Sequence, residues 1–466
     1  MWKPLGLLTL AALTPAEWQV TVLDENVRLP AYDQLPRPDL VGVTAFTSQA
    51  HRAYQLAAAF SRRGVPVVMG GIHATMCADE AAARVDAVVT GEGEAVWPQV
   101  LADARRGALQ PRYAGTQAAM DALPPARHDL LAGDYAFGSI QTTRGCPLNC
   151  SFCSVTAFNG FRYRQRPIAD VVREFGLIRE KLVLVVDDNF IGTSQAHLAR
   201  TKELLRALIQ ADLHKRWIAQ VTINMADDEE LLTLAARAGC VGVFIGFESP
   251  TVAGLQEVGK KFNLLNGRDL AASVRRIQRH RILVVGSFIM GLDADSAGIG
   301  GRIAATAAHY GVDILNTLFL TPLPGTRLWN DLHAQGRIAT HAFPEDWRYY
   351  TLTFPVARYR QFSQAELAGE LLFHGADPNS RRDGDRRQHI LLAAEHSTPR
   401  LAQPLAPSPA AGRPGGRLVL PPQHAPESEE LPGVPRGASG RRGGRRAPGA
   451  PRAGRRGLGV PDGRPR

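Results

Sequence analysis

Cysteine is scarce in this chain, whose 466 residues include only five. Three of them are crowded together as Cys146, Cys150 and Cys153, while Cys77 and Cys240 stand alone. A secreted chain of this size more often has an even, dispersed set of cysteines that forms disulfides. The crowding instead indicates metal or redox chemistry in a reducing compartment, so we expect a cytoplasmic protein.

Long apolar runs are also missing. No stretch approaches the roughly 20 apolar residues that a membrane span needs. The apolar start of the chain, residues 1–13, has one lysine and no small-residue cleavage site. It therefore favours an amphipathic helix over a signal peptide, and we expect no membrane span.

Acidic residues are nearly absent from the end of the chain, and this explains the net charge of +10. Residues 431–466 contain ten arginines and one aspartate, residues 376–430 are neutral, and residues 1–375 carry only +1. Nucleic-acid binding needs a basic surface, which the nearly neutral part of the chain lacks. We therefore expect no nucleic-acid partner.

Aromatic residues end at Phe373, and glycine, arginine, proline and alanine make up 30 of the 36 residues in 431–466. Such a segment cannot bury enough apolar surface to offset the entropy lost on ordering. We predict that residues 374–466 are a low-complexity, disordered tail. A shifted reading frame in GC-rich DNA is one hypothesis for its origin, which an intact frame on resequencing would refute.

Residues 1–115 alternate between helical and strand patterns, which predicts a parallel, doubly wound α/β domain. Ligands of such sheets bind over the carboxyl ends of the strands. The predicted strands are Gln19–Leu23, Leu40–Ala45, Val65–Met69 and Ala87–Thr90. The predicted helices are Leu5–Trp18, Ala50–Arg63, Ala78–Arg84 and Glu94–Arg106. Residues 111–133 lack periodicity, and we place the linker at residues 116–134.

A second series of strands and helices occupies residues 135–338. Six units predict a partial (βα)6 barrel, a shortened relative of the eight-fold form, with active residues at the carboxyl ends of its strands. The strand candidates are Ser139–Thr143, Leu182–Val186, Trp217–Ile223, Gly242–Phe247, Leu283–Ile289 and Leu315–Leu320. Residues 339–373 form a separate small region that is rich in aromatic side chains.

The cysteines have the spacing C-x3-C-x2-C and directly follow the first strand of the predicted barrel. Three thiolates on a short loop can hold three irons of a [4Fe–4S] cluster and leave the fourth iron open, since such clusters otherwise take four cysteines. Zinc is the alternative that soft thiolates select. A structural zinc would need a fourth ligand, from Cys77, Cys240 or a distant histidine.

This motif, its position and the barrel behind it resemble the radical SAM superfamily. The resemblance implies that S-adenosylmethionine chelates the open iron through its amino and carboxylate groups. One electron from the cluster then breaks the sulfonium bond, and the resulting 5′-deoxyadenosyl radical takes a hydrogen atom from the substrate. It also implies a reductant such as flavodoxin or ferredoxin.

The same resemblance implies cofactor-binding residues at the strand ends. Asp188 and Asn189 end the second strand and are implied contacts of the methionine amine, although a helix cap is the alternative for Asp188. The other implied residues are Gln220 in the third strand, Glu248 in a G-x-E-S-P sequence, and Gly286 and Met290 in the stretch that packs the adenine. Lys260 and Lys261, in contrast, are expected at the solvated surface.

The amino-terminal domain resembles the cobalamin-binding class of radical SAM enzymes, which includes hopanoid methylases and an anaerobic cyclase. Thr44, Gly70 and Gly71 are the cobalamin-binding residues that this resemblance implies. The class opens with a strand and a loop before the first helix, whereas this chain begins at the helix, so we expect the first strand to be missing. No D-x-H-x-x-G sequence offers an axial histidine, and His73 is expected to be an ordinary loop residue.

The predicted function is radical cleavage of S-adenosylmethionine coupled to cobalamin-dependent C-methylation of a small or lipid-like substrate. A tRNA or protein methylthiotransferase is one alternative, but such enzymes carry additional amino-terminal cysteines, and only Cys77 precedes the motif here. An inactive truncated or frameshifted remnant is the other alternative.

Overall fold

The computed structural model describes residues 2–372, apart from 132, 134, 261 and 264–266, together with residues 389–390. Nearly all of the tail for which the composition predicts disorder lies outside the described residues. Within them, the chain forms two parallel sheets with helices between their strands, and one short antiparallel pair. None of the helices in this part of the chain is long and apolar enough to cross a membrane.

The amino-terminal sheet contains four parallel strands in the order β1-β2-β3-β4. They are β1 (Val41–Thr44), β2 (Val67–Gly70), β3 (Ala87–Thr90) and β4 (Arg112–Ala114). The helices of this domain are α1 (Leu5–Leu13), α2 (Ala50–Ser61), α3 (Ile72–Met76), α4 (Ala78–Ala82) and α5 (Trp97–Arg105). The two middle strands are largely buried, as their almost continuous apolar sequences require in a parallel sheet.

Three predictions for this domain are wrong. Gln19–Leu23 forms no strand, because an extended segment needs a partner for its backbone groups, and β1 pairs only with β2 in the described residues. The first helix ends at Leu13 because the proline at position 15 disfavours a helical Thr14, which is extended with ψ 124°. The segment predicted to be aperiodic after β3 includes the short strand β4.

The barrel sheet contains seven parallel strands in the order β13-β12-β11-β10-β9-β8-β5. They are β5 (Gly138–Ile140), β8 (Leu182–Val185), β9 (Arg216–Val221), β10 (Cys240–Glu248), β11 (Leu283–Met290), β12 (Ile314–Phe319) and β13 (His389–Ile390). The antiparallel pair is β6 (Thr143–Arg144) and β7 (Arg164–Gln165). All six predicted strands are present, and the first of them is divided into β5 and β6.

Helices cover the outer face of the barrel sheet or follow its strands. They are α6 (Ser154–Asn159), α7 (Ile168–Leu177), α8 (Gln195–Ala211), α9 (Glu229–Arg237), α10 (Val252–Glu257), α11 (Leu270–Arg279), α12 (Ile299–Tyr310), α13 (Arg327–Ala334) and α14 (Gln364–Leu372). One face of α8 buries Leu198, Leu204, Leu205 and Leu208 against the sheet. Each such burial stabilises the fold by roughly 1.5–3 kcal/mol.

The aromatic segment that follows α13 packs against the amino-terminal domain. Trp347 is buried in the same core as Tyr54 and Met69, and its indole N–H donates to Glu80 at 3.0 Å. The ring of Phe343 stacks on Trp347 with a centroid distance of 3.6 Å. Most of the aromatic side chains in this segment are therefore used to join the two domains.

Gly286 shows how closely the outer layer of the barrel is packed. A Cβ at this position would lie 2.9 Å from Val312 and 3.2 Å from the ring of Phe247. We expect Gly286→Ala to lower the free energy of unfolding by about 1–3 kcal/mol through overpacking. Gly6→Ala, in an exposed helical turn with nothing within 4 Å, should instead raise it by about 0.5–1 kcal/mol. Urea denaturation measures both, and an unchanged G286A would contradict this account of the packing.

Candidate active site

The cysteine loop, residues 145–153, leaves β6 and ends at α6. Gly145 has φ +85°, and a Cβ there would overlap the Arg162 carbonyl, so the turn into the loop requires glycine. The middle of the loop is fixed at Ser151, whose N–H donates to the Val258 carbonyl at 3.2 Å and whose carbonyl accepts from Leu328 at 3.0 Å. The loop is therefore held by segments that follow β10 and β12.

Two consecutive carboxylates at the end of β8 fix the start of this loop. Asp187 is buried and accepts from the N–H groups of Thr142 at 2.5 Å and Thr143 at 3.0 Å. Asp188 accepts from the Gly145 N–H at 2.8 Å and from the Asn159 amide at 2.9 Å. Asp188, predicted to contact the cofactor, thus joins the start of the cysteine loop to the end of α6 in this structure.

The donor set suits an iron–sulfur cluster. Cys150 is buried and Cys146 and Cys153 are half-buried, and burial raises the pKa of all three thiols, that of Cys150 to about 12. The nearby Lys260 ammonium opposes this rise for Cys146 and Cys150. No three His, Cys, Asp or Glu side chains in the described ranges are arranged to hold one metal ion. A [4Fe–4S] cluster does not require three ligands around one metal ion, because each thiolate binds a different iron.

Glu248 and Lys260 form a buried ion pair beside the loop, with Oε1 and Nζ 2.8 Å apart. Burial disfavours the ammonium, but the Glu248 carboxylate and the Cys150 thiol keep the pKa of Lys260 above its usual value. Gly246 makes room for the pair, since a Cβ there would overlap the Glu248 carboxylate. The expectation that Lys260 is solvated is wrong, because the pairing with Glu248 compensates for its burial.

Three buried amide oxygens without hydrogen-bond partners lie in the barrel, two of them after the ends of β8 and β9 and one within β12. The side-chain oxygens of Asn189, Asn224 and Asn316 are buried and accept no hydrogen bond. Their amide groups donate to Thr222, Gly192 and Ser287, respectively. Buried acceptors without donors are costly, so these oxygens mark a place for a polar ligand such as S-adenosylmethionine.

Gln220 faces the inside of the barrel and is exposed there, in register with Phe244 on β10. Asn224 and Asn316 were not predicted from the sequence. The signal for Asn316 was present, because it is a lone amide in a strand that is otherwise apolar except for one threonine.

Gly286 and Met290 lie on the outer side of β11. Phe288, between them, stacks on Phe247 and Tyr310 of the surrounding layer, and residues two apart in a strand share a face. The Met290 side chain is fully buried. The structure therefore does not bring these two side chains together with Gln220 and Glu248 inside the barrel, and only their backbone could contact an adenine there.

Thr44, Gly70 and Gly71 meet at the carboxyl ends of β1 and β2. Gly71 has φ +88°, and a Cβ on it would overlap the Thr44 hydroxyl. The missing side chain leaves a surface on which backbone and hydroxyl can approach a large ligand. These residues therefore fit a corrin with its nucleotide tail.

His73 is not a loop residue, which corrects that expectation. It lies in α3, fully buried, with Nε2 2.9 Å from the Tyr54 hydroxyl and 3.6 Å from Glu80. Its ring packs against Trp347. His73 thus belongs to the contact between the amino-terminal domain and the aromatic segment.

Comparison with known proteins identifies both domains. Residues 1–101 match the B12 binding domain and residues 140–296 match the Radical SAM superfamily. The bacteriochlorophyllide d C-12(1)-methyltransferase of Chlorobaculum tepidum is 30% identical over 79% of this chain and 80% of its own length. The chain belongs to the cobalamin-binding radical SAM enzymes.

Two further relatives are matched over only about two thirds of their own length. An uncharacterized methyltransferase of Synechocystis sp. is 30% identical over 72% of this chain, and the hopanoid C-2 methylase of Rhodopseudomonas palustris is 28% identical over 72%. The chain spans 63% and 65% of their respective lengths.

Solved structures show the same fold. The methyltransferase TsrM from Kitasatospora setae, with cobalamin and a [4Fe–4S] cluster bound, covers 81% of this chain and 89% of its own, with a TM-score of 0.61 and 18% identity. The cobalamin-dependent enzyme OxsB covers 62% of this chain and 47% of its own, with a TM-score of 0.52 and 16% identity. At these identities the likeness concerns the fold alone.

The predicted family, fold class and cofactors are confirmed. The chain is a radical SAM enzyme with a B12 binding domain, and its cofactors are a [4Fe–4S] cluster, S-adenosylmethionine and cobalamin. These relatives are named as methyltransferases or as a methylase. The individual cofactor-binding residues remain predictions.

The first prediction concerns the cluster ligands. Cys150→Ala should abolish both iron–sulfur binding and cleavage of S-adenosylmethionine, because the third thiolate of the cluster is lost. Cys240→Ala is the matched control, since Cys240 is also buried but begins β10, at the opposite end of the strand from Glu248. Iron and sulfide content and 5′-deoxyadenosine formation are measured. Full cluster content in C150A would remove this cysteine from the ligand set.

The second prediction concerns the cobalamin surface. Gly71→Ala should weaken cobalamin retention about tenfold, equivalent to roughly 1.4 kcal/mol, because the added Cβ displaces Thr44. Gly107→Ala is the control, since Gly107 also has a positive φ, +64°, but has nothing within 4 Å. Corrin absorbance retained after gel filtration reports binding. Equal losses in both variants would attribute the effect to backbone strain rather than to this surface.

Proposed function

We propose that this chain catalyses cobalamin-dependent methylation of an unactivated carbon in a small-molecule substrate. The observation that carries the proposal is the meeting of the two domains at their strand ends. Glu92, at the end of β3, pairs with Arg144 beside the cysteine loop, with Nη1 and Oε2 2.7 Å apart. A cobalamin on the amino-terminal domain would therefore lie on the side of that domain that faces the cluster.

Each part of this site has a separate task. When bound, the cluster supplies the electron that converts S-adenosylmethionine into a 5′-deoxyadenosyl radical, and cobalamin supplies the methyl group. Cys146, Cys150 and Cys153 would hold the cluster, while Asp188 joins the start of their loop to the end of the helix that follows it. Lys260 offers the nearby positive charge. The unpaired amide oxygens of Asn189, Asn224 and Asn316 would accept hydrogen bonds from S-adenosylmethionine.

The substrate class is proposed from the relatives. The names of two of them give apolar substrates, a bacteriochlorophyllide and a hopanoid. The aromatic segment gives less support than its composition predicts, because Phe343 and Trp347 are used in domain packing. Phe46 and Phe354 remain exposed, at 62% and 48%. We propose a lipid-like or other apolar substrate that uses these exposed rings.

The electron donor is also a proposal. A flavodoxin or ferredoxin would supply the low-potential electron, and both would place the enzyme in a reducing, cytoplasmic compartment. The exposed Asn149, between the first two cysteines, brings the loop to the surface where such a donor can approach.

The proposal is tested with the full chain, purified without oxygen, reconstituted with iron and sulfide, and loaded with cobalamin. We expect 5′-deoxyadenosine, and transfer of a deuterated methyl group from S-adenosylmethionine to an acceptor. Candidate acceptors are a bacteriochlorophyllide and a hopanoid as apolar compounds, with tryptophan and cytidylyl-2-hydroxyethylphosphonate as polar controls. Mass spectrometry detects the labelled product.

The outcomes separate the alternatives. Labelled apolar product supports the proposal in full, and labelled polar product overturns the substrate class only. Transfer of a methylthio group would identify a methylthiotransferase instead. A protein that binds no cluster and forms no 5′-deoxyadenosine under these conditions would be the inactive remnant.

A further inference from the structure

Glu92 connects the amino-terminal domain to the cysteine loop through two arginines. It follows β3 directly, in the Gly91-Glu92-Gly93-Glu94 turn. One carboxylate oxygen lies 2.7 Å from Nη1 of Arg144 and 3.1 Å from Nη1 of Arg164. The other oxygen pairs with Nη2 of Arg164. A single carboxylate thus binds two guanidinium groups from the barrel domain.

The three side chains are largely buried, with 3%, 10% and 9% of their side-chain area exposed for Glu92, Arg144 and Arg164, respectively. Burial alone would raise the pKa of Glu92, but Arg164 and Arg144 hold it below its usual range. The Ala118 N–H also donates to the carboxylate, at 2.8 Å. Buried charges of this kind are tolerated only when all partners are present, so the network has one favoured geometry.

The position of the arginines gives the network its significance. Arg144 precedes Cys146 by two residues and lies in β6, which pairs with the strand that carries Arg164. Both arginines therefore sit on the short sheet from which the cysteine loop begins. Asp187 and Asp188 hold that loop from within the barrel, whereas Glu92 holds it from the cobalamin-binding domain.

Two other contacts lie between the domains, but neither connects the amino-terminal domain to both arginines. Glu94 pairs with Arg144 at 2.5 Å, whereas the carboxylate that pairs with Arg164 is that of Glu92. The contact between Trp347 and Glu80 joins the aromatic segment to α4, and it involves no residue of the cysteine loop.

We propose that Glu92 is a positioning residue that sets the cysteine loop, and hence the cluster, at a fixed place relative to the cobalamin-binding domain. It does so by pairing with Arg144 and Arg164 at once, while Glu94 provides the second negative charge beside Arg144. The inference rests on the proposed function in one respect, which is that cobalamin is the cofactor of the amino-terminal domain. The effect of the Glu92 charge on the potential of the cluster can be measured without cobalamin.

Removing the carboxylate has a defined electrostatic consequence. Reduction makes the cluster more negative, so an unneutralised positive charge nearby favours the reduced form. Glu92→Gln leaves two guanidinium groups without their shared carboxylate. We expect the midpoint potential of the cluster to shift in the positive direction.

Glu92→Asp separates position from charge. The negative charge is kept, but the shorter side chain cannot reach both arginines in the present geometry. We expect a cluster potential close to that of the unmodified protein, together with a broader distribution of distances between cluster and cobalt. Glu174→Gln is the matched control, because Glu174 is 1% exposed and also pairs with two basic side chains, Arg166 of the barrel and His128 of the linker.

The experiment uses the full chain with cluster and cobalamin bound. Redox titration followed by EPR gives the potential, and pulsed EPR of the reduced cluster with cob(II)alamin gives the distance distribution. A positive potential shift in E92Q, and a broadened distribution in E92Q and E92D but not in E174Q, support the proposal. Unchanged potential and distance in a folded E92Q, or the same changes in E174Q, overturn it.

Two further outcomes are also decisive. Should E92Q fail to fold, E92D decides, since an unchanged distance distribution in E92D overturns the positioning role. If the unmodified protein retains no cobalamin, the cobalamin dependence in the proposed function is wrong. The potential of E92Q against E174Q then decides whether Glu92 controls the surroundings of the cluster.

Discussion

The cysteine loop has no regular secondary structure of its own, and buried carboxylates hold it from two sides. From the end of a barrel strand, Asp187 binds the backbone just before the loop and Asp188 binds the first N–H of the loop. Glu92 reaches it from the other domain through Arg144. Carboxylates suit this task because one group can accept several hydrogen bonds, and their burial makes each alternative arrangement costly. The placement of the three thiols depends on this frame.

The same arrangement brings two cofactor surfaces together. Parallel sheets gather their loops at the carboxyl ends of the strands, and this edge of one domain faces the same edge of the other. Met76, from the helix after β2, packs against Gly325, from the loop after β12, where any side chain would overlap its sulfur. The proposed cobalamin surface and the cysteine loop consequently lie on facing sides of one contact.

Paired charges recur on the inner side of this contact. The Glu248–Lys260 pair lies beside the cysteines, and the Glu92 network lies behind them. In each case a positive side chain close to the loop, Lys260 or Arg144, is paired with a carboxylate. A cluster that changes charge during its reaction is sensitive to such groups, because the interaction between charges is strong in a buried site. Electrostatics and positioning are therefore supplied by the same residues here.

Much of this enzyme could be predicted from its sequence. Local patterns were sufficient to predict the six barrel strands, the cysteine motif and the Gly70-Gly71 turn. Each of these features depends on residues that are close together in the chain. Gln19–Leu23 shows the limit of such patterns, since alternation predicts a strand only where a partner strand exists.

The tertiary structure alone decided which polar groups meet. Lys260 has the sequence surroundings of a surface lysine, and only its proximity to Glu248 explains its burial. Asn316 and the link from Glu92 to Arg164 likewise join residues that are far apart in the chain. The sequence by itself determined the chemistry of the cluster site, through three thiols on one loop. Only the tertiary structure decided how that loop is held and charged, because buried ion pairs depend on neighbours that folding brings together.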